Sequence, residues 1–132
     1  MPIEMFINLP VNDIGKSTEF FTRLGFSFDP QVGGPDTKRM IIGPENSALL
    51  HTEPFFRRFA GGDPFDPSKG REVVVGLTAE SPAQVDALVD IAIAAGGESL
   101  GPAIDQGFMY MRAFRDLDGH QWSFLAMTSP RG

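Results

Sequence analysis

Val73-Val74-Val75-Gly76-Leu77-Thr78-Ala79, followed by Ser81 and a helix that stops at Gly96-Gly97, repeats a pattern already written once in the chain. The earlier copy opens with Met5-Phe6-Ile7-Asn8-Leu9-Pro10-Val11, passes through Asp13 into an amphipathic helix and stops at Gly25. Strands punctuated by Gly and Pro follow each helix. A strand, a helix and three further strands, written twice, predict an α+β fold of two βαβββ modules. Two such modules side by side enclose a cleft, so functional residues are expected on its walls. The first module is read over about 3–60, a linker over about 60–70 and the second module over about 71–127, within a single domain of 132 residues.

The local signals support this division. Met5, Ile7, Leu9 and Val11 form one face of the opening strand, with Phe6, Asn8 and Pro10 on the other. Asp13 caps a helix whose apolar stripe is Ile14, Ser17, Phe20, Phe21 and Leu24. Phe26 to Asp29 reads as a short strand, Pro30 to Pro35 as a turn, and Lys38 to Ile42 and Ala48 to Thr52 as an antiparallel pair. Glu53 to Phe59 predicts a short helix with Pro54 in its first turn. The Gly- and Pro-rich stretch over 60–70 reads as a mobile linker. Ser81-Pro82-Ala83-Gln84 is a capping box ahead of the stripe Val85, Leu88, Val89 and Ala92. Leu100 to Ile104 is weakly strand-like, and Phe108 to Arg115 and His120 to Met127 are strands joined by the turn Asp116 to Gly119.

Composition removes several classes of function. A net charge of −6 leaves no basic stripe to meet nucleic-acid phosphates, so no nucleic-acid partner is expected. With no cysteine, disulfides, thiolate metal sites and cysteine nucleophiles are excluded. No apolar run approaches the ~18 residues of a membrane helix, so no membrane partner is expected. Met1-Pro2-Ile3-Glu4 lacks the features of a signal peptide, which makes a cytoplasmic setting the expectation. No phosphate loop, dinucleotide fingerprint or Ser-His-Asp ordering is present.

The opening strand, Asp13, the helix ending in Leu24-Gly25-Phe26 and the distant Asp116-Leu117-Asp118-Gly119 together resemble the vicinal oxygen chelate superfamily. That group includes glyoxalase I, extradiol dioxygenases and the bleomycin- and fosfomycin-resistance proteins. Leu49-Leu50-His51-Thr52-Glu53-Pro54-Phe55-Phe56 and Gly107-Phe108-Met109-Tyr110 look more narrowly like a bacterial branch labelled predicted lactoylglutathione lyase. The resemblance implies a curved sheet around a cleft, a homodimer and, in metal-dependent members, one divalent ion held by His and Glu. The matching positions here are Phe6, Val74 and Ser123, with His51 nearest to a fourth. Phe and Val have no donor atom, so neither a metal nor another cofactor is expected. The leading expectation is a protein that binds a small-molecule ligand without a catalytic metal. The alternative is a metal-dependent lyase or isomerase of the lactoylglutathione lyase type, and a third reading is an interaction module whose contact surface is the Phe-rich segment 55–59.

The candidates for the ligand pocket are Phe6, Asn8, His51, Val74, Tyr110, Arg112, Gln121 and Ser123. His51 reads either as a general base or as a strand-end histidine bonded to a loop. Tyr110 points into the cleft or rests at a rim or dimer contact. Arg112 meets an anionic ligand or a cross-strand carboxylate. Arg115 and His120 read as solvent-exposed, and Trp122 and Phe124 as core, with Gln121 and Ser123 on the cleft side.

Overall fold

The computed structural model describes residues 3–128; Met1 and Pro2, the start of the segment read as lacking a leader, lie outside it. The chain divides into two compact units, Met1–Asp66 and Pro67–Gly132, with two sheets and three α-helices among the described residues. The α+β expectation of a doubled strand–helix–strands module is met in each.

In the N-terminal unit, β1 (Met5–Val11) leads through Asp13 into α1 (Ile14–Arg23). The Asp13 carboxylate accepts the backbone N–H of Lys16 at 3.0 Å, so the helix starts where its first free donor finds a partner. Ser17, Phe20, Phe21 and Leu24 are buried, with Phe20 and Phe21 edge-to-face at 5.0 Å. Each of these rings contributes roughly 2–3 kcal/mol of burial, and Phe21→Ala would cost about 3–5 kcal/mol. The helix closes through Gly25 N–H to Thr22 O and Phe26 N–H to Phe21 O.

Three strands follow: β2 (Ser27–Gly33), β3 (Thr37–Gly43) and β4 (Asn46–Thr52). The sheet order is β1-β4-β3-β2, with β1 and β4 parallel and the other pairs antiparallel. The turn expected from Pro30 is instead part of β2. That strand lies at the sheet edge and shifts register between Phe28 and Gly33, which is where a proline without an N–H is tolerated.

The short helix α2 (Glu53–Ala60) carries Pro54 in its first turn and packs on β1 and β4 with none of its residues fully buried. The linker expected over 60–70 is partly ordered: Arg57 holds Asp63 at 2.9 Å and Pro67–Lys69 forms a 3₁₀ turn.

The C-terminal unit repeats the scheme with β5 (Val74–Thr78), α3 (Pro82–Ala94), β6 (Glu98–Ser99), β7 (Ile104–Asp105), β8 (Met109–Arg115) and β9 (Gln121–Met127). The Ser81 hydroxyl accepts Gln84 N–H at 3.1 Å, while the Gln84 amide oxygen reaches past the cap residue to the N–H of Glu80. Val85, Val89 and Ala92 are buried; Leu88 is only half-buried. At Gly97 a Cβ would stand 2.7 Å from Arg115 O, so only glycine lets the chain leave α3 so close to β8.

The sheet order here is β5-β9-β8-β6, with β7 also on β8 and β5 parallel to β9 as β1 is to β4. The single strand expected over Leu100 to Ile104 is split. Gly101 and Pro102 interrupt it, and two dipeptide strands on either side pair with β8 instead. No helix among the described residues is long and apolar enough to cross a membrane.

Candidate functional site

Each sheet has one face under its main helix and one face away from it, and strand alternation sorts the candidates between them. In the N-terminal unit the registers Leu9↔Leu50 and Met40↔Ala48 put the buried apolar residues together beneath α1. Phe6, Asn8, His51, Thr37 and Arg39 fall on the opposite face.

His51 is 3 % exposed and both of its ring nitrogens are engaged. Nε2 lies 2.9 Å from Asn8 Oδ1 and Nδ1 lies 2.9 Å from Thr37 Oγ1. A carbonyl oxygen only accepts, so Nε2 carries the proton and Nδ1 accepts from the Thr37 hydroxyl. The Phe55 ring stacks on the imidazole at 5.2 Å and Phe59 lies at 4.9 Å. Burial lowers the His51 pKa and favours the neutral ring. The strand-end histidine expected to bond a loop thus bridges two neighbouring strands under α2, and neither nitrogen retains a free lone pair.

Arg39, on the same face, bonds Asp29 at 3.2 Å and Ser47 Oγ at 3.3 Å, with Glu4 at 3.8 Å. Phe6 is 51 % exposed. Glu53 sits in the first turn of α2 and pairs with Arg57 at 3.6 Å, as its place near a helix start favours.

In the C-terminal unit the registers Phe114↔Trp122 and Arg112↔Phe124 place Tyr110, Arg112 and Phe114 on the α3 side with the buried Trp122 and Phe124. Tyr110 donates its hydroxyl to Asp86 Oδ1 at 2.7 Å. Arg112 meets Asp86 at 3.2 Å and Asp90 at 3.1 Å, both on α3 rather than across the sheet as expected. The hydrogen bond to the Asp86 carboxylate, above all, raises the Tyr110 pKa.

Val74, Gln121 and Ser123 lie on the other face, with Val74 opposite Gln121 and Gly76 opposite Ser123. The structure therefore groups Val74, Gln121 and Ser123 on one face and separates Tyr110 and Arg112 from them; in the first unit it groups Phe6, Asn8 and His51.

The Asp116 turn is an architectural joint. Its buried carboxylate accepts the N–H of Asp118 at 2.9 Å, of His120 at 3.0 Å and the indole N–H of Trp122 at 2.9 Å. Burial raises its pKa. Gly119, at φ +83°, completes the turn beside Pro67, where a Cβ would stand 2.8 Å from the proline ring. His120, read as solvated, is half-buried against this turn. Arg115, also read as exposed, is half-buried between Glu98 at 3.4 Å and Pro67 O at 3.4 Å. Thr37 and Arg115 escaped the sequence reading because their partners are distant in the chain.

The positions that would supply metal ligands do not form a donor set. Phe6 and Val74 have no coordinating atom, the His51 nitrogens are committed to Asn8 and Thr37, and Ser123 is a lone hydroxyl. Among the described residues no three His, Cys, Asp or Glu side chains converge as a metal site.

A family model described as the Glyoxalase/Bleomycin resistance protein/Dioxygenase superfamily matches residues 5–124. Among solved structures, a hypothetical protein from S. aureus is 28% identical, with a TM-score of 0.81 over 96% of this chain and 94% of that one. A glyoxalase/bleomycin resistance protein from Albidiferax ferrireducens is 25% identical, with a TM-score of 0.71 over 93% and 97%. The fosfomycin resistance protein FosX from Mesorhizobium loti shares 12% identity, with a TM-score of 0.70 over 97% and 94%, and so shares the fold alone. No curated protein matches the chain.

Proposed function

This chain belongs to the glyoxalase/bleomycin resistance protein/dioxygenase superfamily, and on that premise we propose that it binds a small organic molecule without a resident metal. The carrying observation is the exchange of the expected ligand positions for Phe6, Val74 and Ser123 on sheet faces that the main helices leave uncovered. Apolar surface with a few oriented polar groups is what such binding needs. On the C-terminal sheet Gln121 and Ser123 are the polar candidates beside the exposed Val74; on the N-terminal sheet Phe6 is exposed and Asn8 is bonded to His51. Tyr110 and Arg112, tied to α3, act by holding the sheet that presents the site. A homodimer in the cytoplasm is part of the same reading and rests on the resemblance and on composition.

A thermal-shift screen tests the proposal. Relatives described as bleomycin and fosfomycin resistance proteins put antibiotics among the first compounds to try. A ligand at 100 times its Kd adds about 2.7 kcal/mol, which raises Tm by roughly 6–12 °C for a domain of this size. A broad library without one stabilising compound would defeat the reading. A lyase or isomerase of the lactoylglutathione type is the competing function, and stoichiometric nickel, zinc, manganese or iron in the purified protein would establish it instead.

A further inference from the structure

On the uncovered face of the C-terminal sheet, one row is built only of small residues. Ser123 pairs with Gly76 on one side and Ala113 on the other, so the three sit abreast on adjacent strands. The neighbouring rows are larger, with Gln121 and Arg115 on one side and Leu125 and Met111 on the other. The small row is therefore the floor of a shallow depression with a polar wall and an apolar wall.

Two polar groups are unfinished, one on this floor and one in the polar wall. Ser123 is 6 % exposed, and no hydrogen bond to its hydroxyl is found among the described residues. A Cβ on Gly76 would stand 3.4 Å from Ser123 Oγ, so the hydroxyl borders the gap that the glycine leaves. Arg115 has its Nε buried without a partner. Its other contacts are long, 3.4 Å to the exposed Glu98 and 3.4 Å to Pro67 O. Leaving a buried donor unpaired costs about 1–3 kcal/mol, so a shift of this side chain that brings the donor to an acceptor is favoured.

The local charge indicates what that ligand carries. Arg71 bonds the Gln121 side chain at 3.0 Å and Pro67 O at 2.7 Å, which brings a second guanidinium to the row that holds Arg115. In a chain of net charge −6, Arg115 is paired with one exposed carboxylate, Glu98, and the Arg71 guanidinium is bonded to Gln121 and to backbone carbonyls, with no carboxylate partner among the described residues. A planar guanidinium fork matches a carboxylate or phosphonate oxygen pair, and a hydroxyl supplies one more donor. Beyond Met111 the row Met109↔Met127 continues the apolar wall with adaptable side chains.

We propose that this depression is the head-group subsite of the ligand-binding protein described above, and that it takes the oxyanion of a small organic acid whose apolar body lies along Leu125 and Met111. Arg115 and Ser123 contact the head group, and Gly76 keeps room for it.

Calorimetry with octanoate and 4-phenylbutyrate, beside their neutral primary amides and the corresponding phosphonates, tests this. The acids are expected to bind at least about tenfold more tightly than the amides. Arg115→Gln removes that preference, Ser123→Ala weakens acid binding several-fold, and Gly76→Val abolishes it by filling the floor. Arg23→Gln, on the exposed end of α1, leaves binding unchanged. Melting curves of the free variants confirm folding, and Gly76→Val provides an independent arm should Arg115→Gln unfold. Equal binding of acids and amides, or acid affinity untouched by both Arg115→Gln and Gly76→Val, overturns the inference. Failure of every acid while a neutral compound stabilises the protein also overturns it but leaves the broader ligand-binding reading standing; only a silent library removes both.

Discussion

The two sheets use the same module in opposite ways. In the N-terminal unit the polar residues of the uncovered face are consumed internally: Asn8, His51 and Thr37 form a chain across three strands, and α2 lays Phe55 and Phe59 over the imidazole. In the C-terminal unit internal pairing occurs on the helix side, through Tyr110, Arg112, Asp86 and Asp90, and the uncovered face keeps Ser123 and Arg115 short of partners. The same module thus spends its polar side chains on opposite faces of the two sheets. A satisfied network rigidifies, whereas an unpaired buried polar group costs free energy.

The severest test of this contrast is the Asp116 joint, because three donors converge on one buried carboxylate. Asp116→Ala strands the Trp122 indole N–H and is expected to cost about 3 kcal/mol in denaturant unfolding, with Asp116→Asn milder because it keeps an acceptor. Loss below about 1 kcal/mol would mean that the turn is not what fixes β8 against β9.

His51→Ala comes next, at about 2–3 kcal/mol, since it empties space beneath two rings and strips both Asn8 and Thr37 of a partner. The same residue sets a pH dependence. Burial lowers its folded pKa below the ordinary 6.5, so the unfolded chain takes up the proton first. Stability that is complete above pH 6.5 is lost as pH falls below that value and on through the folded pKa. Thermal melts should show a shallower loss for His51→Gln over that range; identical slopes would show that the imidazole is not the titrating group.

Smaller effects refine the C-terminal side of the comparison. Arg112→Ala is expected to cost less than about 1 kcal/mol, and less still in high salt, because Asp86 and Asp90 remain well exposed. Tyr110 is the sole tyrosine, so its absorbance titration is unobscured by others; it should ionise above pH 10, and Asp86→Asn should bring it down. Smallest in energy is the motion of α2. With no fully buried residue, its amides should exchange with deuterium sooner than those of α1 and α3.

Much of the fold was legible because its signals are local. The alternation in Met5–Val11, the caps at Asp13 and Ser81 and the glycine stops each depend on a few adjacent residues, and each appears where expected. The edge strand through Pro30 was not legible, because tolerance of that proline depends on β2 having a neighbour on one side only. The split at Gly101-Pro102 likewise depends on pairing with β8.

For the site, the sequence by itself determined which atoms are present: no cysteine, two histidines, and Phe6, Val74 and Ser123 where donors were expected. It also determined parity within each strand, but the separation of Tyr110 and Arg112 from Gln121 and Ser123, grouped together in the sequence reading, came from the β8–β9 register. Only the tertiary structure decided which polar groups were already spent. His51 is satisfied by residues 43 and 14 positions away, while Arg115 is left with a buried, unpaired nitrogen. Hydrogen bonding is a matter of ångströms in space, and sequence separation carries no such distance.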